Sequence, residues 1–215
     1  MGFKKRSLFF TKKTKFKYGM NHLNINNNED LAAKDYLDKF YENIVDFLVA
    51  NQIENQPCGF SEKEISNYEI EYKISFPKAY RLFLALLAKS DLKIFSFQDF
   101  TISGLKGAQE VSQELQVKDN FQLESYQFAF TQWQDYNFFY LDLRSNNPNV
   151  ELYIQAGCAS EESPAEIYKY GSFTDWLCNM IEISLTLRKQ LNGLEINQLL
   201  TDLEQIKQDA KINEI

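Results

Sequence analysis

The sequence of 215 residues contains a single histidine, His22, and this scarcity limits the chemistry open to the protein. One histidine cannot build a three-histidine zinc site or an HExxH motif, and any Ser-His or Cys-His pair would depend on it. His22 stands in an asparagine-rich run, where nothing predicts the fixed position that acid–base catalysis requires. No P-loop or G-x-S-x-G motif is present. We therefore expect a protein without catalytic residues, metal or cofactor.

Cysteine and long apolar runs are also scarce. Cys58, Cys158 and Cys178 form neither a C-x-x-C pair nor an even-numbered framework, which is typical of a reduced, cytoplasmic chain. The longest uncharged apolar run, residues 82–88, is far shorter than the ~20 residues that a membrane-spanning helix needs. The apolar stretch near the N-terminus covers only residues 8–10, too few for a secretory signal. The sequence therefore predicts a cytoplasmic protein without a membrane span.

Charge is distributed unevenly along the chain. Residues 1–28 contain seven of the 23 Lys and Arg and none of the 30 Asp and Glu. The remaining residues therefore carry 16 basic and 30 acidic side chains, a net charge of −14. Such a surface argues against nucleic-acid binding by the folded body and favours a basic protein as partner.

Helical patterns occupy both ends of the sequence. Ser61 and Glu64 form a capping box, in which the serine hydroxyl and the glutamate side chain each bind the other residue's backbone N–H. Pro77 suits the first position of a helix, where its missing N–H costs nothing. Together with apolar residues at helical spacing, these signals predict helices over residues 31–52, 61–73, 77–87, 104–117, 172–191 and 194–211.

Strand patterns fill the middle of the sequence. Residues 136–143 are apolar on both faces, which predicts a central strand, and residues 150–155 alternate, which predicts a half-buried one. In the alternating strand we expect Val150, Leu152 and Ile154 to face the core and Tyr153 to face outward. Strands are predicted over residues 93–102 (one or two), 127–133, 136–143, 150–154 and 166–170.

Helices, then an antiparallel run of strands, then helices again indicate the α+β class. We expect a sheet of about five or six strands packed with helices. The predicted organisation is a basic, Asn-rich disordered tail over residues 1–30, one domain over residues 31–191 and a helical appendage over residues 192–215. Met20 is an alternative start of translation, which would remove most of the basic tail.

Three stretches, in order, resemble the SUKH superfamily. Residues 59–87 contain an acidic capped helix followed by Phe-Pro-Lys-Ala-Tyr-Arg-Leu-Phe-Leu, similar to the family's (Leu/Phe)-Pro-x-x-Tyr-x-x-Phe-Leu helix. Residues 133–143 resemble its central strand and residues 172–177, Ser-Phe-Thr-Asp-Trp-Leu, its closing helix. The chain departs from the pattern at residues 134–137, where Gln-Asp-Tyr-Asn replaces the usual Gly-rich turn. We expect a different turn geometry there.

The resemblance implies a binding protein rather than an enzyme. Bacterial SUKH proteins resemble immunity proteins, which bind a toxin domain, often a nuclease, and block it; an acidic body suits such a partner. The alternative is a regulatory protein-binding scaffold of the same fold, as in the fungal Smi/Knr relatives in cell-wall signalling. Fold alone does not decide between the two.

Five residues are candidates for partner contact. Trp133, Asp135 and Tyr136 lie at a predicted strand–turn junction, where exposed aromatic rings beside a carboxylate would anchor an interface. The competing interpretation places both rings in the core beside the turn. Glu161 and Glu162 lie in a predicted polar loop after Cys158, and they either contact the partner or are simply solvated.

Overall fold

A computed structural model describes residues 28–53, 57–89, 99–158, 163–192 and 196–212. Six helices and four strands occupy these residues. In chain order they are α1 (Asn28–Ala50), α2 (Glu62–Tyr72), α3 (Lys78–Leu86), α4 (Ile102–Lys118), β1 (Gln127–Gln132), β2 (Asn137–Asp142), β3 (Asn149–Ile154), β4 (Glu166–Ser172), α5 (Phe173–Asn192) and α6 (Ile196–Ile212). The predicted α+β class is confirmed.

The capped helices form where local sequence signals place them. Ser61 precedes α2 and forms the predicted capping box: its backbone N–H donates to the Glu64 carboxylate at 2.7 Å, and its hydroxyl accepts from the Glu64 N–H at 3.4 Å. Ser172 precedes α5 in the same way, because its hydroxyl accepts from the Asp175 N–H at 3.3 Å. Pro77 stands one position before α3 rather than at its first residue.

The sheet has the order β1-β2-β3-β4, and every neighbouring pair is antiparallel. The expected count of five or six strands is too high for the described residues, which contain four. Residues 93–98 of the first predicted strand lie outside the described residues. Its last residue, Ile102, begins α4 instead, because the Thr101 hydroxyl accepts from the Gly104 N–H at 3.3 Å and caps that helix.

Both faces of the sheet are covered over β1 to β3. The larger core lies on one face and contains residues of α1, α2, α3, α5 and α6 around the fully buried Trp176. The second cluster lies on the other face, where Leu115 of α4 packs with Phe138 and Tyr153. The prediction that Tyr153 faces outward is therefore wrong: its ring is buried and stacks on Phe121 at 4.6 Å. Alternation failed there because the segment after α4 covers the second face.

Helices α1 and α6 pack on each other, and α6 also packs on α5. Leu203 and Ala210 of α6 are buried in the larger core. The apolar face of α6 is thus part of the folded interior. The division of the chain at residues 30 and 192 remains a prediction, although α1 already begins at Asn28, three residues earlier than expected.

Candidate functional site

The turn between β1 and β2 carries three of the candidate residues, and its backbone is held by defined contacts. Gln134 has φ 57, a left-handed conformation that a glycine would adopt more easily. The buried Asn137 side chain accepts from the Trp133 N–H at 3.1 Å, and the Asn137 N–H donates to the Gln134 carbonyl at 3.2 Å. The turn therefore differs from a Gly-rich one in composition but still reverses the chain tightly.

Both aromatic rings of this turn reach solvent. The exposed fraction is 45% for Trp133 and 37% for Tyr136, and Asp135 between them is also exposed. The Tyr136 hydroxyl donates to the Gln134 side chain, which orients the tyrosine ring along the turn. The sequence allowed Trp133 and Tyr136 to be either exposed or buried beside the turn, and in the structure both are exposed. The core next to the turn is filled by residues of β1 and β2.

Glu161 and Glu162 lie outside the described residues. The described residues on either side of them are joined, since the Gly157 N–H donates to the Ser163 carbonyl at 2.8 Å. This loop connects β3 to β4 at the same end of the sheet as the β1–β2 turn, and the Gln155 N–H donates to the Tyr136 carbonyl at 2.9 Å. We call the described residues at this end of the sheet, 133–137, 154–158 and 163–166, the strand-end surface.

A half-buried carboxylate, Asp119, forms contacts behind the strand-end surface. One oxygen of Asp119, Oδ2, accepts from the Tyr153 hydroxyl at 2.7 Å and from the Ala156 N–H at 3.2 Å. Burial, and then the hydrogen bond to Asp119, raises the pKa of the Tyr153 hydroxyl above its usual range, so this tyrosine stays protonated. Sequence reasoning missed Asp119, because only the tertiary structure brings the end of α4 to the end of β3.

Strand β4 is a second exposed feature that sequence reasoning did not single out. Ile167 and Tyr168 have exposed fractions of 46% and 48%, and the flanking Glu166 and Lys169 are exposed as well. Lys169 Nζ lies 3.6 Å from the Glu151 carboxylate on β3, whereas the Glu166 carboxylate accepts from the Tyr168 hydroxyl. The signal in the sequence was the adjacent pair Ile167 and Tyr168, because neighbouring residues of a strand point to opposite faces of the sheet.

Comparison with known families decides the class of protein. The family model described as the SMI1 / KNR4 family (SUKH-1) matches residues 59–179, more than half of the chain. The chain belongs to the SMI1/KNR4 family. The SUKH-1 match begins just before α2 and ends within α5, so α1 and α6 lie outside it. No curated protein and no solved structure matches the chain significantly.

Among the residues that the structure describes in this SUKH-1 protein, no three His, Cys, Asp or Glu side chains come close enough together to hold a metal ion. Cys58 and Cys158 are exposed, while burial raises the pKa of the Cys178 thiol to about 12. His22 lies outside the described residues. None of the described helices is long and apolar enough to cross a membrane.

Proposed function

We propose that this SUKH-1 protein is an immunity protein that binds a cognate toxin domain and neutralises it by occlusion. The observation that carries the proposal is the pair of exposed rings, Trp133 and Tyr136, on a turn held by backbone and side-chain hydrogen bonds. Interfaces depend on a few aromatic anchors, and an anchor already in place loses little conformational entropy on binding. Family membership supports a binding role, and the protein works in the cytoplasm without a cofactor.

The charge of the body supports a basic partner. Residues 29–215 carry a net charge of −14, and Asp135 places one carboxylate between the two aromatic rings. A toxin domain that acts on nucleic acid holds a polyanion, so its active-site face is basic. Opposite potentials accelerate the encounter of two proteins and fix their orientation.

The alternative, a regulatory scaffold of the same fold, would use the tail or α6 to bind its partner. The structure places the apolar face of α6 against α1 and α5, with Leu203 buried. An amphipathic helix that docks into a partner's groove offers its apolar face. The apolar face of α6 packs inside the protein and is not available to a partner. This packing favours the strand-end surface over α6 as the site of contact.

The deciding experiment is coexpression with the products of the neighbouring genes, among which the proposal expects a toxin domain. We expect the protein to restore growth and to copurify with the toxin domain as a stable complex. If neighbouring gene products neither bind it nor are neutralised by it, the immunity function is wrong.

A pair of variants tests the contact surface. Trp133→Ala and Tyr136→Ala should each weaken the complex by ~2 kcal/mol, about 30-fold in Kd, because both remove a central aromatic anchor. Ile70→Ala is the matched control, since Ile70 on α2 is an exposed apolar residue, 73% exposed, away from the strand-end surface. Titration calorimetry measures all three. If Trp133→Ala and Tyr136→Ala bind the toxin domain as tightly as Ile70→Ala and the unmodified protein do, the interface lies elsewhere.

A further inference from the structure

The two edges of the sheet are covered very differently. Every residue of β1 from Phe128 to Thr131 is buried, because α4 packs on that strand and the larger core closes its other face. At the opposite edge, residues 166–169 of β4 are all exposed. An open edge strand presents backbone N–H and C=O groups that can pair with another chain, so proteins normally cover or shorten it. Among the described residues, none covers the edge at 166–169 of β4, whereas α4 closes the edge at β1.

Residues 166–169 of β4 are exposed on both faces of the sheet. Ile167 lies opposite Tyr153, on the face where the cover provided by α4 and the segment after it ends at β3. Tyr168 lies opposite Leu152, on the face of the larger core. Residues 166–169 therefore expose an apolar side chain in each direction, next to backbone groups that no described residue outside β3 is seen to bind.

We infer that β4 is the docking strand for an extended, basic segment of the protein partner, which adds to the sheet as a fifth strand. This inference rests on the proposed binding function and names the surface that performs it. In strand addition the main-chain hydrogen bonds provide affinity, and alternate side chains provide specificity. Here Ile167 and Tyr168 offer the apolar contacts, one on each face.

The charges on β4 identify the chemistry of the segment. Lys169 already has an acidic neighbour across the ladder, with Glu151 at 3.6 Å. Glu166 has only the Tyr168 hydroxyl as a partner among the described residues, and no cation. An added strand with Lys or Arg beside Glu166 completes the charge pairing at this edge. This local requirement agrees with the net charge of −14 of residues 29–215.

A second copy of the chain fits the same edge poorly. A two-fold axis between two antiparallel β4 strands places one residue opposite itself. With Tyr168 or Ile167 at the axis, Glu166 faces a tyrosine in both arrangements and gains no cation. With Lys169 at the axis, two like charges face each other, which destabilises the pair. The charge pattern therefore favours a different protein.

A single short strand is too small to form a stable complex alone, since specific interfaces bury ~1,200–2,000 Å². The partner must also contact neighbouring surface. Glu166 pairs with Ile154, and the next residue, Gln155, is bonded to Tyr136, so the edge and the β1–β2 turn belong to one continuous strand-end surface. The exposed aromatic residues of the turn supply the remaining contact area.

Hydrogen exchange on the full chain tests this inference, with the purified toxin domain encoded beside the gene as the probe. We expect the backbone amides of residues 166–170 that point away from β3, every second one along the strand, to exchange at least about tenfold more slowly in the complex, because new ladder bonds protect them. Amides of the buried strand β1 should not change. A complex in which the Trp133–Tyr136 turn is protected and β4 is not would overturn strand addition but leave the immunity function standing.

Two variants complete the test. Glu166→Lys and Ile167→Lys should each lower the affinity at least about tenfold, whereas Ile70→Lys, the same change at an exposed α2 position, should not. Thermal unfolding verifies that the variants fold, as lysine is well tolerated on edge strands. Unchanged affinity of both β4 variants overturns the inference. So does a dimer of the isolated protein that Ile167→Lys dissociates, because β4 would then bind a second copy. If no complex forms at all, the immunity function and the docking strand fail together.

Discussion

At the scale of single residues, Gln134 has a backbone conformation that glycine adopts more easily. Its φ of 57 is in the left-handed region, where a side chain clashes with the backbone at a cost of roughly 1–2 kcal/mol. Hydrogen bonds from Asn137 and Tyr136 hold this conformation. The turn therefore forms at some cost in stability.

Gln134→Gly should raise the free energy of unfolding by up to about 1 kcal/mol, because the relief of the left-handed strain exceeds the extra backbone entropy of glycine. Urea denaturation monitored by tryptophan fluorescence measures the change. Gln122→Gly is the control, because Gln122 is an exposed glutamine without positive φ. This variant should have the same free energy of unfolding as the unmodified protein or a lower one. A destabilised Gln134→Gly would show that the turn depends on the glutamine side chain.

At the scale of elements, Glu69 joins α2 to α3. One carboxylate oxygen accepts from the backbone N–H of the buried Phe76 at 2.7 Å, and the other accepts from Arg81. Helix α2 ends at Tyr72, and the next residue, Lys73, caps it in a left-handed conformation with φ 56 before the chain turns toward Pro77. The pair of contacts sets the angle between the two helices that carry the first family signature.

Glu69→Ala should lower the free energy of unfolding by roughly 2 kcal/mol, since it leaves the buried Phe76 N–H without its acceptor and the half-buried Arg81 with Glu62 as its remaining ion-pair partner. Glu69→Gln keeps an acceptor for the N–H and should lose less. Glu71→Ala on the same helix is the control, because Glu71 is exposed and should change stability by less than about 0.5 kcal/mol. Chemical denaturation separates the three. Equal stability of Glu69→Ala and Glu71→Ala would contradict the role of Glu69.

At the scale of the whole molecule, α1 and α6 add a helical layer that lies outside the SUKH-1 match. Buried residues of both helices join the larger core around Trp176. The layer packs on the face of the sheet opposite α4. It leaves the strand-end surface and the β4 edge open, so the proposed partner and the added helices occupy different parts of the molecule.

Leu203→Ala should destabilise the protein by ~2–5 kcal/mol, the usual cost of truncating a buried leucine. Gln205→Ala, at an exposed position of the same helix, should have almost no effect. Calorimetry should show one cooperative transition that shifts as a whole. A Leu203→Ala protein with unchanged stability would mean that α6 is a detachable appendage, as its position in the sequence suggested.

Predictions from local patterns agreed best with the structure. Three examples are the capping box at Ser61, the strand at residues 137–142 and the helix after Ser172. Each depends on interactions between residues close in sequence, and these interactions can form in any fold. The exposure of Trp133 could not be predicted, because the same pattern suits a core residue beside a turn. Alternation placed Tyr153 outside, whereas the segment around Phe121 buries it.

The sequence by itself determined the class of the fold, the order of its elements, the family signatures and the separation of charge along the chain. Backbone hydrogen bonding and side-chain periodicity act over a few residues, so these features can be recognised without the fold. Only the tertiary structure decided which strand edge stays open, which aromatic residues reach solvent and where Asp119 is placed. Each of these features depends on how elements that are distant in the chain pack against the sheet.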